Sequence, residues 1–123
     1  MAKKIKLPHN HGHSLDVVMR RMPDGEKFEE AAATFQQLCD PTRLRIFWLI
    51  CHAEECVSNI AAAVEMSDAA VSHHLRTLKM HGIIKSRRMG KEVHYSLAEN
   101  DKARLAHQML DDFFHLTCPG CNI

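Results

Sequence analysis

The stretch SDAAVSHHLRTLKMHGIIKSRRMGKEVHYSL, residues 67–97, decides the fold. After Ser67, the apolar Val71, Leu75 and Leu78 recur at three- and four-residue spacing, which predicts a helix over Asp68–Met80 with those side chains inward. Ser67 is a favoured N-cap, and Asp68 in the first turn complements the helix dipole. His81-Gly82 ends the helix. Beyond Ile83 and Ile84, the run Lys85-Ser86-Arg87-Arg88 leads into a Met89-Gly90-Lys91 turn. Val93, Tyr95 and Leu97 then alternate with His94 and Ser96, which is the pattern of a β-hairpin.

Working outward, Val57–Glu65 reads as a short helix broken at Met66-Ser67, with Ala61, Ala62 and Ala63 small enough to let it lie close to its neighbour. Asp40-Pro41 opens an earlier helix, since Asp caps orphan amides and proline at the first position loses no needed donor. That helix is apolar nearly all round, through Leu44, Ile46, Phe47, Trp48, Leu49, Ile50 and Cys51, and is expected to be central. Phe28, Ala31, Ala32, Phe35, Leu38 and Cys39 form one apolar stripe on the helix before it. Ser14 is placed to cap a short helix over Leu15–Met22, closed by a Pro23-Asp24-Gly25 turn. At the other end Asn100–Leu116 carries Ala103, Ala106, Met109, Leu110, Phe113 and Leu116 at helical spacing. The expected architecture is mainly α with a small β-hairpin, a winged helix-turn-helix of five to six helices. Residues 1–14 read as a flexible His-containing tail, 15–116 as the domain, and 117–123 as a Cys-containing tail.

The 123-residue length suits one domain, and a composition 46% hydrophobic, 25% charged and 6% aromatic is that of a folded chain. No apolar run approaches the roughly 18 residues of a membrane span, and the Lys-rich start lacks the apolar stretch of a signal peptide. A cytoplasmic protein without a membrane partner is expected. In that reducing compartment the five cysteines, Cys39, Cys51, Cys56, Cys118 and Cys121, read as free thiols or soft metal ligands before a disulfide framework. The net charge of +1 conceals an uneven distribution. Arg76, Lys79, Lys85, Arg87, Arg88 and Lys91 crowd between Val71 and His94, where Glu92 is the only acid, while Glu99, Asp101, Asp111 and Asp112 turn the following segment acidic.

A helix entering a DNA major groove needs polar and basic side chains outward over an anchored apolar side. Ser72, His73, Arg76, Thr77 and Lys79 are available for that role, with Ser67 at the helix start. Adjacent helical positions cannot face the same way, so His73 is expected outward and His74 less so. A hairpin bearing Arg87, Arg88 and Lys91 would set cations beside the phosphate backbone or minor groove, as a wing. Double-stranded operator DNA is therefore the expected partner. A solvated surface is the commoner role for any single basic residue, but these cations cluster on two successive elements.

Four segments, Leu38-Cys-Asp-Pro-Thr-Arg-Leu-Arg-Ile46, Glu55-Cys-Val-Ser-Asn-Ile60, Ser67-Asp-Ala-Ala-Val-Ser-His-His-Leu-Arg-Thr-Leu78 and Gly90-Lys-Glu-Val-His-Tyr95, resemble the ArsR/SmtB transcriptional repressors. The resemblance runs from about Phe28 to Leu116. It implies a homodimer formed through the N-terminal and C-terminal helices, with operator binding relieved by a metal ion or other inducer. By position, the terminal-helix site of zinc-sensing members falls on Glu99, Asp101, Asp112 and His115. Both expected histidines are acids here, while oxygen and imidazole donors still suit a divalent transition metal such as zinc. His107, Asp111 and His115, at four-residue spacing, form an overlapping alternative. The family's Cys-x-Cys appears as Cys56-Val57-Ser58, one thiolate short, so a thiol site there would need Cys118 or Cys121.

Cys118-Pro119-Gly120-Cys121 could also form a reversible disulfide, which gives a redox-responsive repressor as the alternative mode of control. His9, His11 and His13 could contribute ligands, although a polar arm is the simpler reading. A thiol-disulfide enzyme is disfavoured, because such pairs act from a helix N-terminus and this one ends the sequence. A winged-helix protein-interaction adaptor would make the charges of Arg87 and Arg88 dispensable.

Overall fold

The computed structural model describes residues 6–12 and 14–114. Among these the order is α1 (Leu15–Arg21), α2 (Gly25–Gln37), α3 (Pro41–His52), β1 (Glu55–Cys56), α4 (Val57–Val64), α5 (Asp68–Met80), β2 (Ile84–Met89), β3 (Glu92–Leu97) and α6 (Asp101–Phe114). Two compact units divide the chain, Met1–Ala32 and Ala33–Ile123. In the first, α1 buries no residue, and Ser14 at its N-cap makes no side-chain cap bond, contrary to the capping expected of it.

The second unit is built around α3. Its Ile46, Phe47 and Ile50 are buried together with Ile60, Ala61 and Val64 of α4, Val71, Leu75 and Leu78 of α5, Ile83, Ile84, and Ala103, Ala106 and Leu110 of α6. The caps expected for two of these helices form. Asp40 accepts from Arg43 N at 2.8 Å with proline following it, and Ser67 Oγ accepts from Ala70 N at 3.1 Å. Asn100 caps α6 in the same way, accepting from Ala103 N at 2.8 Å.

Between α4 and α5 the chain pivots on Glu65, whose φ of 57° and ψ of 48° place a non-glycine residue in the left-handed region that closes helices. Ser58 Oγ donates to Asp68 Oδ2 at 2.9 Å and ties the start of α4 to the first turn of α5.

The sheet is larger than a hairpin. Its order is β1-β3-β2, antiparallel throughout, with Glu55 opposite Tyr95 and Cys56 opposite His94. The two-residue β1 carries no periodicity, so the sequence pattern could not reveal it. In the hairpin Met89 faces Glu92, and Gly90 takes φ 65° in the two-residue turn, a position that suits glycine.

Several inward assignments shift. Ala62 and Ala63 are exposed, and only Ala61 meets the core, because an eight-residue helix packed on one side has room for one such column. On α2, Phe35 is half-exposed while Thr34 and Gln37 are buried. On α6 the buried column is Ala103, Ala106, Leu110 and Asp111, leaving Leu105, Met109 and Phe113 exposed. No helix among the described residues is long and apolar enough to cross a membrane.

Candidate functional site

Helix α5 is anchored by three fully buried side chains, Val71, Leu75 and Leu78, which fixes what its other side presents. His73, Arg76 and Lys79 are exposed, and Ser72 and Thr77 half-buried. Thr77 Oγ1 donates back to the His73 carbonyl at 3.1 Å. His74 turns toward α3, where Arg43 Nε donates to its Nδ1 at 3.2 Å. Burial first, and the Arg43 charge second, push its pKa below the ordinary histidine value. The different exposures of His73 and His74 agree with the helical-face argument.

The wing is joined to α5 by Lys79 Nζ donating to Ser86 Oγ at 2.7 Å. Strand alternation sends Arg87 and Arg88 to opposite faces of the ribbon, a separation that reading them as adjacent cations conceals. Arg87 turns to Glu54, with Nε 3.0 Å from Oε2 and Nη2 paired to Oε1. The Arg87 hydrogen bond is the main cause holding the Glu54 carboxyl below its usual range. Arg88 Nε donates to the Gly90 carbonyl at 3.3 Å beside the turn. Arg76 and Lys91 are exposed, with no hydrogen-bond or ion-pair partner among the described residues.

The acidic set behaves differently. Glu99 pairs with Lys85, Asp101 with Arg104 at 2.8 Å, and Asp112 accepts from Gln108 Nε2 at 2.9 Å. All three carboxylates are exposed. The Lys85 hydrogen bond lowers the pKa of Glu99. His115, Cys118, Cys121 and His13 lie outside the described residues, while the His9 and His11 rings stack with centroids 5.9 Å apart. Cys56 is buried at the start of α4, bordering a cavity of about 180 Å³ lined also by Ser58, Lys91 and Glu92.

One group of donors was not assembled in advance. His52, the last residue of α3, meets His107 and Asp111 of α6, and their ligand atoms all lie within 4.8 Å of one another. Asp111 is 6% exposed, and its Oδ1 and the Nε2 atoms of both histidines are buried without a hydrogen-bond partner. His107 and Asp111 were legible as a helical i,i+4 pair. His52 was not, since nothing at the end of an apolar helix announces which distant residue it will meet.

A four-helix core in which α5 shows a basic outer face beside a basic ribbon defines a winged helix-turn-helix protein. Residues 40–86 match the sequence profile described as bacterial regulatory protein, arsR family. The chain is 40% identical over 86 residues to the transcriptional repressor SmtB homolog of a Synechocystis species, a match covering 70% of this chain and 65% of that protein. It is 32% identical over 93 residues to the HTH-type transcriptional regulator NmtR of Mycobacterium tuberculosis, covering 76% of this chain and 78% of that one. Its structure is similar to the homodimeric winged helix-turn-helix DNA-binding domain of a possible ArsR-family regulator from Mycobacterium bovis. That likeness has a TM-score of 0.64 and 30% identity, over 78% of this chain and 92% of that chain. The chain belongs to the arsR family of bacterial regulatory proteins. The chain spans about two thirds of the length of the SmtB homolog it matches.

Proposed function

We propose that this protein is a cytoplasmic, dimeric, sequence-specific repressor whose grip on operator DNA is relieved by a divalent transition metal of the zinc class. The observation that carries the reading is the α5 surface coupled to the wing through Lys79 and Ser86. Ser67, Ser72, His73, Arg76, Thr77 and Lys79 approach the major groove, with Arg76 the side chain suited to bidentate contact with a guanine edge. Arg88 and Lys91 meet phosphates, and Arg87 joins them when it leaves Glu54. Residues 15–116 act as the DNA-binding and dimerising domain. Dimerisation is supported by the exposed i,i+4,i+8 stripe of Leu105, Met109 and Phe113 on α6 and by the homodimeric relative. Metal relief is supported by the relationship to SmtB-type repressors. For the family's terminal-helix site the donors would be Glu99, Asp101, Asp112 and His115, drawn from both protomers. Cys56 with Cys118 and Cys121 is the thiol set that would serve a thiophilic ion.

The test is a titration of promoter duplexes with metal-free protein across a range of salt. Preference for one duplex over random sequence is expected. Arg76→Ala should relax the base preference by about 1 to 3 kcal/mol, and Arg88→Ala with Lys91→Ala should lower the salt slope by about one unit per lost phosphate contact. Binding without preference, or a slope unmoved by the double substitution, would refute the reading.

A further inference from the structure

The crossing of α3 and α6 holds polar atoms that core chemistry does not explain. His52 Nδ1 lies 2.7 Å from the Trp48 carbonyl oxygen. A carbonyl can only accept, so Nδ1 carries the proton, and the neutral ring presents a lone pair at Nε2. That lone pair stands 3.6 Å from Asp111 Oδ1, and His107 Nε2 stands 3.0 Å from Asp111 Oδ2. Neither imidazole atom has hydrogen-bond geometry to the carboxylate. Buried charge of this kind is ordinarily paired with good geometry or bound to a metal, since unpaired burial costs several kcal/mol.

We infer that His52, His107 and Asp111 form a site within a single protomer for a divalent metal of borderline character, such as zinc or cobalt. Two imidazole nitrogens and one carboxylate suit these ions and leave a fourth position open. Metal–ligand bonds of about 2.0–2.2 Å imply donor separations of roughly 3.3–3.6 Å in a tetrahedral set. His52 lies 3.6 Å from Oδ1 and His107 3.0 Å from Oδ2 of the carboxylate, with the three ligand atoms within 4.8 Å of one another, so small side-chain shifts would close the set. The Nδ1–H bond to Trp48 is the outer-shell contact that fixes a ligating histidine's tautomer and orientation. The set differs from the exposed Glu99, Asp101 and Asp112 in being largely buried and in joining α6 to α3.

Its position gives it a route to the wing. His52 is followed by Ala53 and then Glu54, the residue that holds Arg87. Drawing His52 toward α6 acts two residues from that ion pair. This regulatory consequence rests on the repressor reading, whereas metal binding itself does not.

The experiment uses the full chain, stripped with chelator and titrated with Co²⁺. Trp48 is the only tryptophan, and its ring centroid lies 4.4 Å from that of His52, so its fluorescence reports on the site alongside the cobalt visible band. The first equivalent per chain should quench Trp48 as the band grows. Losing a ligand should weaken binding by at least the roughly 10–100-fold seen when an outer-shell partner is lost, in both His107→Gln and Asp111→Asn. The His107 side chain is less buried than that of His52, so His107→Gln keeps the fold testable by circular dichroism if a change at His52 does not. The double variant Asp101→Asn/Asp112→Asn, which removes exposed terminal-helix donors, should keep the Trp48 quench even where it lowers the total cobalt bound. Trp48 quenching that survives His107→Gln, or disappears in the double variant, overturns the inference. Operator binding by the stripped wild type is measured in parallel. Its absence beside an intact, His107-dependent cobalt site would sink the repressor reading and leave the metal site standing.

Discussion

The outer face of α5 with its wing and the inner crossing of α3 with α6 hold similar side chains under opposite conditions. On the outer face His73, Arg76, Lys79 and Lys91 are exposed, water carries their solvation, and the apolar anchors beneath supply the stability. At the crossing His52, His107 and Asp111 bury polar atoms and gain no good hydrogen bond with one another. Exposed charge is inexpensive and needs only a partner of opposite sign. Buried polarity is costly and calls for a specific occupant.

The comparison would break first at the anchors. Leu75→Ala leaves a cavity under the outer face and should cost about 2 to 5 kcal/mol in denaturant unfolding, the largest effect expected here. A loss below about 1 kcal/mol would mean that α5 is held by something other than its apolar side.

A smaller effect separates the two arginines of the wing. Freeing Arg87 with Glu54→Gln should tighten DNA binding and steepen its salt slope by up to about one unit, whereas Arg87→Ala in the unaltered chain should change the slope less than Arg88→Ala does. Equal slopes for the two alanine variants would show that the Glu54 pair does not restrain Arg87 on DNA.

The smallest effect concerns His74, on the boundary between the two regions. Its folded pKa lies below the ordinary 6.5, so below that value the unfolded chain takes up a proton that the folded chain resists. The contribution is complete above pH 6.5 and is lost as pH falls from there toward the lower folded value. His74→Gln, which keeps an acceptor for Arg43, should flatten that acid limb of the stability curve. An unchanged limb would assign the titration to another group.

Much of the outer face was readable in advance. Helix α5 occupies the span its spacing predicts, Ser67 caps it, and the hairpin turns at Gly90, because local periodicity and turn chemistry act over a few residues. The departures share one cause, which is partner choice. Strand β1 exists because β3 offers an edge to pair with. Ala62 and Ala63 are exposed because α4 packs on one side only, and Arg87 is held by a glutamate far away in the chain.

Sequence alone determined the succession of helices, the basic ribbon, the central place of α3 and the face of α5 that points inward, since each depends on spacing, capping and the aversion of apolar groups to water. Only tertiary structure decided that the end of α3 would meet the middle of α6 and bring His52 to His107 and Asp111. Contacts between residues distant in the chain are set by how whole helices cross, and no local pattern encodes that crossing.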